Sequence, residues 1–257
     1  NYEAHATEMG TVVDREAPFY FTKSPTTLIM AQGEIAYAPR TDNYHYEMEL
    51  VFALNSGGTN IAEADALSHI FGAAAGIDMT RRDMQNKAKE TRRPWDTSKD
   101  VEQSAVITPL RLMADVPTLA SGRIHLEQNG ETKQDADLSQ MVWSVPEIIA
   151  DLSTMYTLQQ GDVIYMGTPA GVGAVQRGDA RAAAQPIGGE SAHPGVGARH
   201  VPQAAGVAHA LGRRRRLRHG AGLQARGVPR WRRRRPAGER RVHGRQLGAC
   251  RRRGGPH

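Results

Sequence analysis

The chain has 257 residues and a formal net charge of +6, with a sequence pI near 9.7. That average conceals two chemically different stretches: residues 1–179 hold 14 Lys and Arg against 25 Asp and Glu, net −11, while residues 180–257 hold 19 Arg, no Lys and two Glu, net +17. The single cysteine, Cys250, excludes an intrachain disulfide and leaves the acidic part without thiol chemistry. No apolar run approaches the roughly 18–20 residues of a membrane span, and the N-terminus lacks the basic-then-apolar order of a signal peptide. The expectation is a cytoplasmic protein without a membrane partner.

The first segment, NYEAHATEMG, places His5 and Glu8 three residues apart, neighbours on one face of a helix. A carboxylate beside an imidazole raises its basicity and fixes its tautomer, as a water-activating base requires; the plainer alternative is a surface contact. TLIMAQGEIAYA (27–38) predicts a hairpin turning at Gln32-Gly33. YHYEMELVF (44–52) is rich in aromatic and apolar residues, bounded by turn-formers, and predicts a strand. Residues two apart on a strand share a face, so Glu47 and Glu49 stand side by side. Such a pair fits a solvated edge strand or a site for a hard cation that takes oxygen ligands.

IAEADALSHIFG (61–72) predicts a helix, and the largely polar TRRDMQNKAKETR (80–92) a third helical segment, ended before Pro94. In GIDMTRRDMQ (76–85), Asp78 closes an apolar run and is placed to supply a third carboxylate to Glu47 and Glu49. Three carboxylates with water in the remaining positions suit Mg²⁺ or Mn²⁺; without His or Cys, zinc is disfavoured. Lys99 is one of five lysines in residues 1–179 and by default a solvated charge. GRIHLEQNGETKQ (122–134) predicts a hairpin turning at Asn129-Gly130, and SVPEIIADLSTM (144–155) a helix opened by a Ser144/Glu147 capping box. YMGTPAGVG (165–173) follows a short buried strand; its glycines let backbone amides approach an anion, though it lacks the phosphate-loop pattern.

Residues 180–257 contain no Asp, Asn, Lys, Phe, Tyr, Met or Thr, and Gly, Ala, Arg and Pro supply 53 of the 78. An arginine-rich tail can neutralise nucleic-acid phosphates. The composition instead reads as GC-rich DNA translated out of frame after Asp179, unable to bury a core and disordered, with no specific nucleic-acid partner.

In series, NYEAHATEMG, FYFTKSP, YHYEMEL, GIDMTRRDMQ, RRPW with a following SK, EQNGETKQ and LQQGDVIYMGTPAGVG resemble the fumarylacetoacetate hydrolase family across essentially all of residues 1–179. The resemblance implies a β-rich α+β fold, a β-sandwich roll of that family's C-terminal-domain type, truncated here at both ends, with residues 1–179 as the catalytic domain. TRRD, RPWD and the compact length resemble the family's branch that hydrolyses fumarylpyruvate to fumarate and pyruvate in gentisate breakdown, with acylpyruvases and oxaloacetate decarboxylases using the same site. By position, the resemblance makes Glu47, Glu49 and Asp78 the ligands of Mg²⁺ or Mn²⁺, His5 and Glu8 the water-activating dyad, and Lys99 a substrate contact. It also places Arg82 and Gln85 around the acylpyruvate and Thr168 on its carboxylate end, in a homodimer. The family's GD-containing strand pair after GVG begins here as QRGD and is abandoned at ARAAAQP.

Overall fold

The computed structural model describes residues 1–32, 34–177 and 179, and the backbone of 182–184. These fall within the first of two units into which the chain divides, Asn1–Val207 and Ala208–His257. The strands are β1 (Leu28–Met30), β2 (Tyr44–Tyr46), β3 (Met48–Leu54), β4 (Ile70–Asp78), β5 (Thr80–Arg81), β6 (Ala105–Ile107), β7 (Arg111–Leu112), β8 (Arg123–Gln128), β9 (Glu131–Asp137), β10 (Val163–Tyr165), β11 (Gly173–Ala174) and β12 (Ala182–Ala184). The helices are α1 (Glu3–Glu8), α2 (Arg82–Glu90), α3 (Asp96–Lys99) and α4 (Val145–Met155).

The central sheet runs β1-β6-β4-β3-β10 with β7 also on β4; a second carries β11-β2-β5 and a third β12-β8-β9. All seven residues of β3 are buried, and Met48, Leu50, Phe52 and Leu54 enter the same core as Ile77 of β4, Ile124 and Leu126 of β8, and Ile148 and Ile149 of α4. Each such side chain contributes roughly 1.5–3 kcal/mol relative to exposure, so the β3/β4 pair is central to the core of the described residues.

One topological feature positions the site. YHYEMELVF is two strands, because the chain breaks at Glu47 and passes from the second sheet (β2) to the central one (β3). The paired chain does the same at Met79, leaving β4 in the central sheet and β5 in the second. The two crossings lie side by side: Glu49 faces Gly76, His45 faces Thr80, and Asp78 N–H donates to the Glu47 carbonyl at 2.8 Å. Carboxylates flanking the two breaks therefore converge.

Two expected elements form as read. The β8–β9 hairpin turns at Asn129 (φ 55°) and Gly130 (φ 82°), the pair of positive φ values that a two-residue hairpin turn demands. Helix α4 opens on Ser144, which accepts from Glu147 N–H while the Glu147 carboxylate takes Ser144 N–H.

Four expectations are corrected. No hairpin forms over 27–38: β1 pairs parallel with β6, residues 34–38 are not strand, and Gly33 lies outside the described residues. The helix expected over 61–72 is a 3₁₀ segment, Glu63–His69, because IFGAAAGID from Ile70 onward is the central strand β4; alanine's helix propensity yields to burial between β3 and β6. The strand before the GTP loop, β10, is half-buried, since among the described residues it pairs with β3 on one side alone. Finally, the segment after QRGD is not abandoned: Ala182–Ala184 pairs antiparallel with β8 from Gln128 to Leu126. The rest of the expected tail lies outside the described residues.

Candidate active site

Glu47, Glu49 and Asp78 are all buried, and one carboxylate oxygen from each lies within 4.8 Å of the others. The structure thus brings the three expected carboxylates together. Lys99, at the end of α3 and 1% exposed, points its ammonium into them, donating to Glu47 Oε2 (2.7 Å), Asp78 Oδ2 (2.6 Å) and Thr80 Oγ1 (2.7 Å). All three of its N–H bonds are engaged. Lys99 is therefore no solvated charge; its environment stabilises the ion that burial alone would neutralise. Burial lowers its pKa, but the Asp78 and Glu47 charges outweigh that and raise it above the ordinary value.

Arg82, in the first turn of α2, donates to Glu47 Oε1 at 2.5 Å and to Gln85 Oε1 at 2.5 Å, so these two expected substrate contacts meet at the same wall. Burial pushes the Glu47 carboxyl up, yet Lys99 and Arg82 together hold it well below the usual carboxylate range. Glu49 is the opposite case. Its side chain accepts from Gly167 N–H at 2.6 Å, and burial followed by the Asp78 and Glu47 charges pushes it up to about 8.

Asp78 Oδ1 forms an ion pair with Lys23 Nζ at 2.7 Å, and Lys23 also donates to Ser104 Oγ (2.7 Å), the Met79 carbonyl (3.2 Å) and the Lys99 carbonyl. A Glu49 carboxyl raised by burial and by the charges of Asp78 and Glu47 is what a divalent cation relieves, and the all-oxygen donor set of Glu47, Glu49 and Asp78 fits a hard one.

His5 and Glu8 lie on α1, with His5 Nδ1 3.1 Å from Glu8 Oε2. Glu8 is fixed in turn by Gly171 N–H, 3.2 Å from both of its oxygens, which ties the dyad to the GTPAGVG loop. Among the described residues, His5 Nε2 is the ring nitrogen without a hydrogen-bond partner. Burial lowers the His5 pKa, against the Glu47 charge and the Glu8 bond, so the ring is neutral at neutral pH. Thr168 is buried in the same loop, where its Oγ1 accepts from Gln134 Nε2 at 2.7 Å.

Three side chains of the site were not singled out in the sequence. Lys23, Gln134 and His45 sit inside quoted motifs, but a shift in the β8–β9 register between Leu126 and Glu127 means that counting by two from the Asn129-Gly130 turn does not put Gln134 on the inner face of β9. His45, whose pKa burial and then Arg82 lower to about 4, is 3.4 Å from Arg82 Nε and left no signal.

This fold and site define a class, and the comparisons agree: residues 1–198 match the fumarylacetoacetate (FAA) hydrolase C-terminal family, and the chain belongs to that family. Among its members it is 53% identical over 173 residues to the fumarylpyruvate hydrolase of a Ralstonia species, covering 66% of this chain and 90% of that protein. It is 36% identical over 180 residues to the mitochondrial oxaloacetate tautomerase of Rattus norvegicus, covering 70% of this chain and 80% of that one. The crystal structure of fumarylpyruvate hydrolase from Pseudomonas aeruginosa in complex with Mn²⁺ and pyruvate is 43% identical and superposes with a TM-score of 0.67, covering 70% of this chain and 78% of that chain.

Proposed function

We propose that this chain is a divalent-metal-dependent hydrolase of acylpyruvates that cleaves fumarylpyruvate to fumarate and pyruvate. The observation that carries the reading is the buried Glu47–Glu49–Asp78 cluster with Lys99 between two of its carboxylates. The 53% identity to a fumarylpyruvate hydrolase and the Mn²⁺–pyruvate complex of a second one support it.

A hard divalent cation, Mg²⁺ or Mn²⁺, held by Glu47, Glu49 and Asp78 supplies Lewis-acid stabilisation of the negative charge that develops on the pyruvate half. His5 keeps Nδ1–H on Glu8 and uses Nε2 to take a proton from water. The resulting hydroxide adds to the ketone carbon distal to the pyruvate carboxylate. The carbon–carbon bond from that carbon to the methylene then breaks, its electron pair leaves as the enolate of pyruvate, and a proton returned to carbon gives pyruvate beside fumarate. Lys99, whose ammonium the Asp78 and Glu47 charges keep protonated against burial, would supply positive charge near the developing oxyanion. Arg82 and Gln85 orient the substrate from α2, and the Thr168 hydroxyl donates to its carboxylate.

The catalytic unit is residues 1–179, acting in a cytoplasmic homodimer, and residues 180–257 have no part in hydrolysis. No helix among the described residues is long and apolar enough to cross a membrane.

The reaction needs neutral His5, whose pKa burial holds below 6.5. Raising pH through that depressed value deprotonates the base, so kcat/KM should rise on an acid limb with its midpoint below 6.5 and then level off, as a pH–rate profile will show. A limb centred above it would mean that another group is the base.

A second reading, turnover of oxaloacetate, is favoured by the tautomerase relatives, because moving a proton between carbon and oxygen of a 2-oxo acid also passes through an enolate. Comparing kcat/KM for fumarylpyruvate, acetylpyruvate and oxaloacetate in one metal-loaded preparation decides between them. Preference for fumarylpyruvate supports hydrolysis, whereas turnover of oxaloacetate alone overturns it.

A further inference from the structure

Gln134 is fully buried on β9, a strand whose other residues are partly or wholly exposed. Its amide spans two elements of the site. Oε1 accepts from Met48 N–H at 2.9 Å, at the residue between Glu47 and Glu49, while Nε2 donates to Thr168 Oγ1 at 2.7 Å and to the Pro169 carbonyl at 2.9 Å. The amide orientation is not a free choice. A backbone N–H can only donate and a carbonyl can only accept, so the end facing Met48 must be the oxygen and the end facing Pro169 the nitrogen.

That constraint reaches Thr168. A hydroxyl has one proton to give, and Gln134 Nε2–H already occupies its oxygen as acceptor, so the Thr168 proton is not spent on Gln134. Among the described residues no group accepts it, although Thr168 is 3% exposed. The loop has little freedom to rearrange. Gly171, at φ +96°, packs so closely on β9 that a Cβ there would lie 2.0 Å from the Lys133 carbonyl, and Gly167 N–H is held by Glu49.

We propose that Gln134 is a positioning residue that sets the polarity of Thr168, forcing its hydroxyl to act as a hydrogen-bond donor toward the carboxylate of a bound 2-oxo acid. The inference rests on the functional reading above and extends it to a residue that touches neither substrate nor metal ligand by its side chain. Its amide also couples the segment carrying Glu47 and Glu49 to the GTP loop, beside the bond from Gly167 N–H to Glu49.

The test is a double-mutant cycle on pyruvate binding to the Mn²⁺-loaded protein, by calorimetry in mildly alkaline buffer, with thermal melting as a check on folding. Gln134→Glu keeps the shape and an acceptor for Met48 N–H, but presents an oxygen to Thr168, whose proton then turns inward. Pyruvate affinity should fall about tenfold or more with Thr168 present, in line with a lost hydrogen bond to a charged group. In a Thr168→Val background the same change should have little effect, and Thr168→Ser alone should bind nearly as the parent does. An equal loss in both backgrounds would show that Gln134 is merely structural, and unchanged affinity of Gln134→Glu would overturn the inference outright. If the parent protein with Mn²⁺ does not bind pyruvate at all, the functional reading falls and this inference falls with it. Should Gln134→Glu fail to fold, Thr168→Val against Thr168→Ser still decides whether the hydroxyl donates to pyruvate, and equal affinity of those two would also overturn the proposal.

Discussion

Replacing His5 with alanine is expected to lower kcat by about 10²–10⁴-fold, the usual cost of removing a general base, while Mn²⁺ affinity stays as it was. The asymmetry follows from placement. His5 is on α1, hydrogen-bonded to Glu8, and Glu8 is anchored on Gly171, whereas the metal-ligating candidates come from the β2/β3 break and from β4. Burial lowers the ring's pKa, so it enters the reaction as a base with Nε2 free rather than as an imidazolium ion. Single-turnover rates and Mn²⁺ titration on the same preparation separate the two quantities. A parallel loss of metal binding and rate would place His5 among the ligands and remove it from the role of base.

Lys99→Met should separate the same two quantities in a different way, with turnover falling by about 10²-fold or more and Mn²⁺ binding becoming tighter. The ammonium lies 2.7 Å from Glu47 Oε2 and 2.6 Å from Asp78 Oδ2, so it competes with a divalent cation for two of the three carboxylates. Methionine removes that competitor while filling most of its volume. The catalytic loss arises because the oxyanion of the addition step no longer meets a positive charge; removing one oxyanion donor typically costs about 10²–10³-fold. Phe21 lies against the same ammonium, 4.6 Å from ring centroid to Nζ, so the replaced side chain remains in an apolar contact and the fold should tolerate it. Weaker Mn²⁺ binding by Lys99→Met would mean that the ammonium supports the metal site by hydrogen bonding rather than opposing it by charge.

Residues whose local chemistry fixes their geometry were legible in the sequence. The Asn129-Gly130 turn and the Ser144/Glu147 capping box need only neighbours along the chain, and both form as read. The alternation through YHYEMELVF placed Glu47 and Glu49 on one side, which the carboxylate cluster requires. What the alternation does not encode is the break at Glu47, because a strand leaving one sheet for another keeps its period and changes only its partners. The same limit explains TLIMAQGEIAYA. A Gln-Gly turn flanked by apolar residues is a sound local signal for a hairpin, but β1 instead adds to β6, more than seventy residues away, in parallel.

For the site, the acids and the His5–Glu8 dyad were readable from spacing and from the family resemblance. The resemblance also placed Lys99, Arg82 and Gln85 in the site, but not their contacts with the acids, and it left Lys23 and Gln134 unmarked. Lys23, Arg82 and Lys99 come from the FYFTKSP segment, α2 and α3, and meet Glu47 or Asp78 only in three dimensions. Gln134 lies in a run of polar residues, ETKQDAD, where nothing in composition separates the inward member from its exposed neighbours, and the register shift between Leu126 and Glu127 defeats counting from the turn as well.

Hydrolysis of a carbon–carbon bond of an acylpyruvate with the help of a carboxylate-held cation, as proposed for these residues, is open to direct measurement. The direct measurement is the yield of pyruvate and of fumarate from fumarylpyruvate by the purified full chain, as prepared, after chelation, and after Mn²⁺ or Mg²⁺ is returned. The account predicts equal amounts of the two products, loss of both on chelation, and recovery of both when the metal is restored. Cleavage that survives complete chelation, or metal-restored protein that consumes fumarylpyruvate without releasing fumarate, would contradict it.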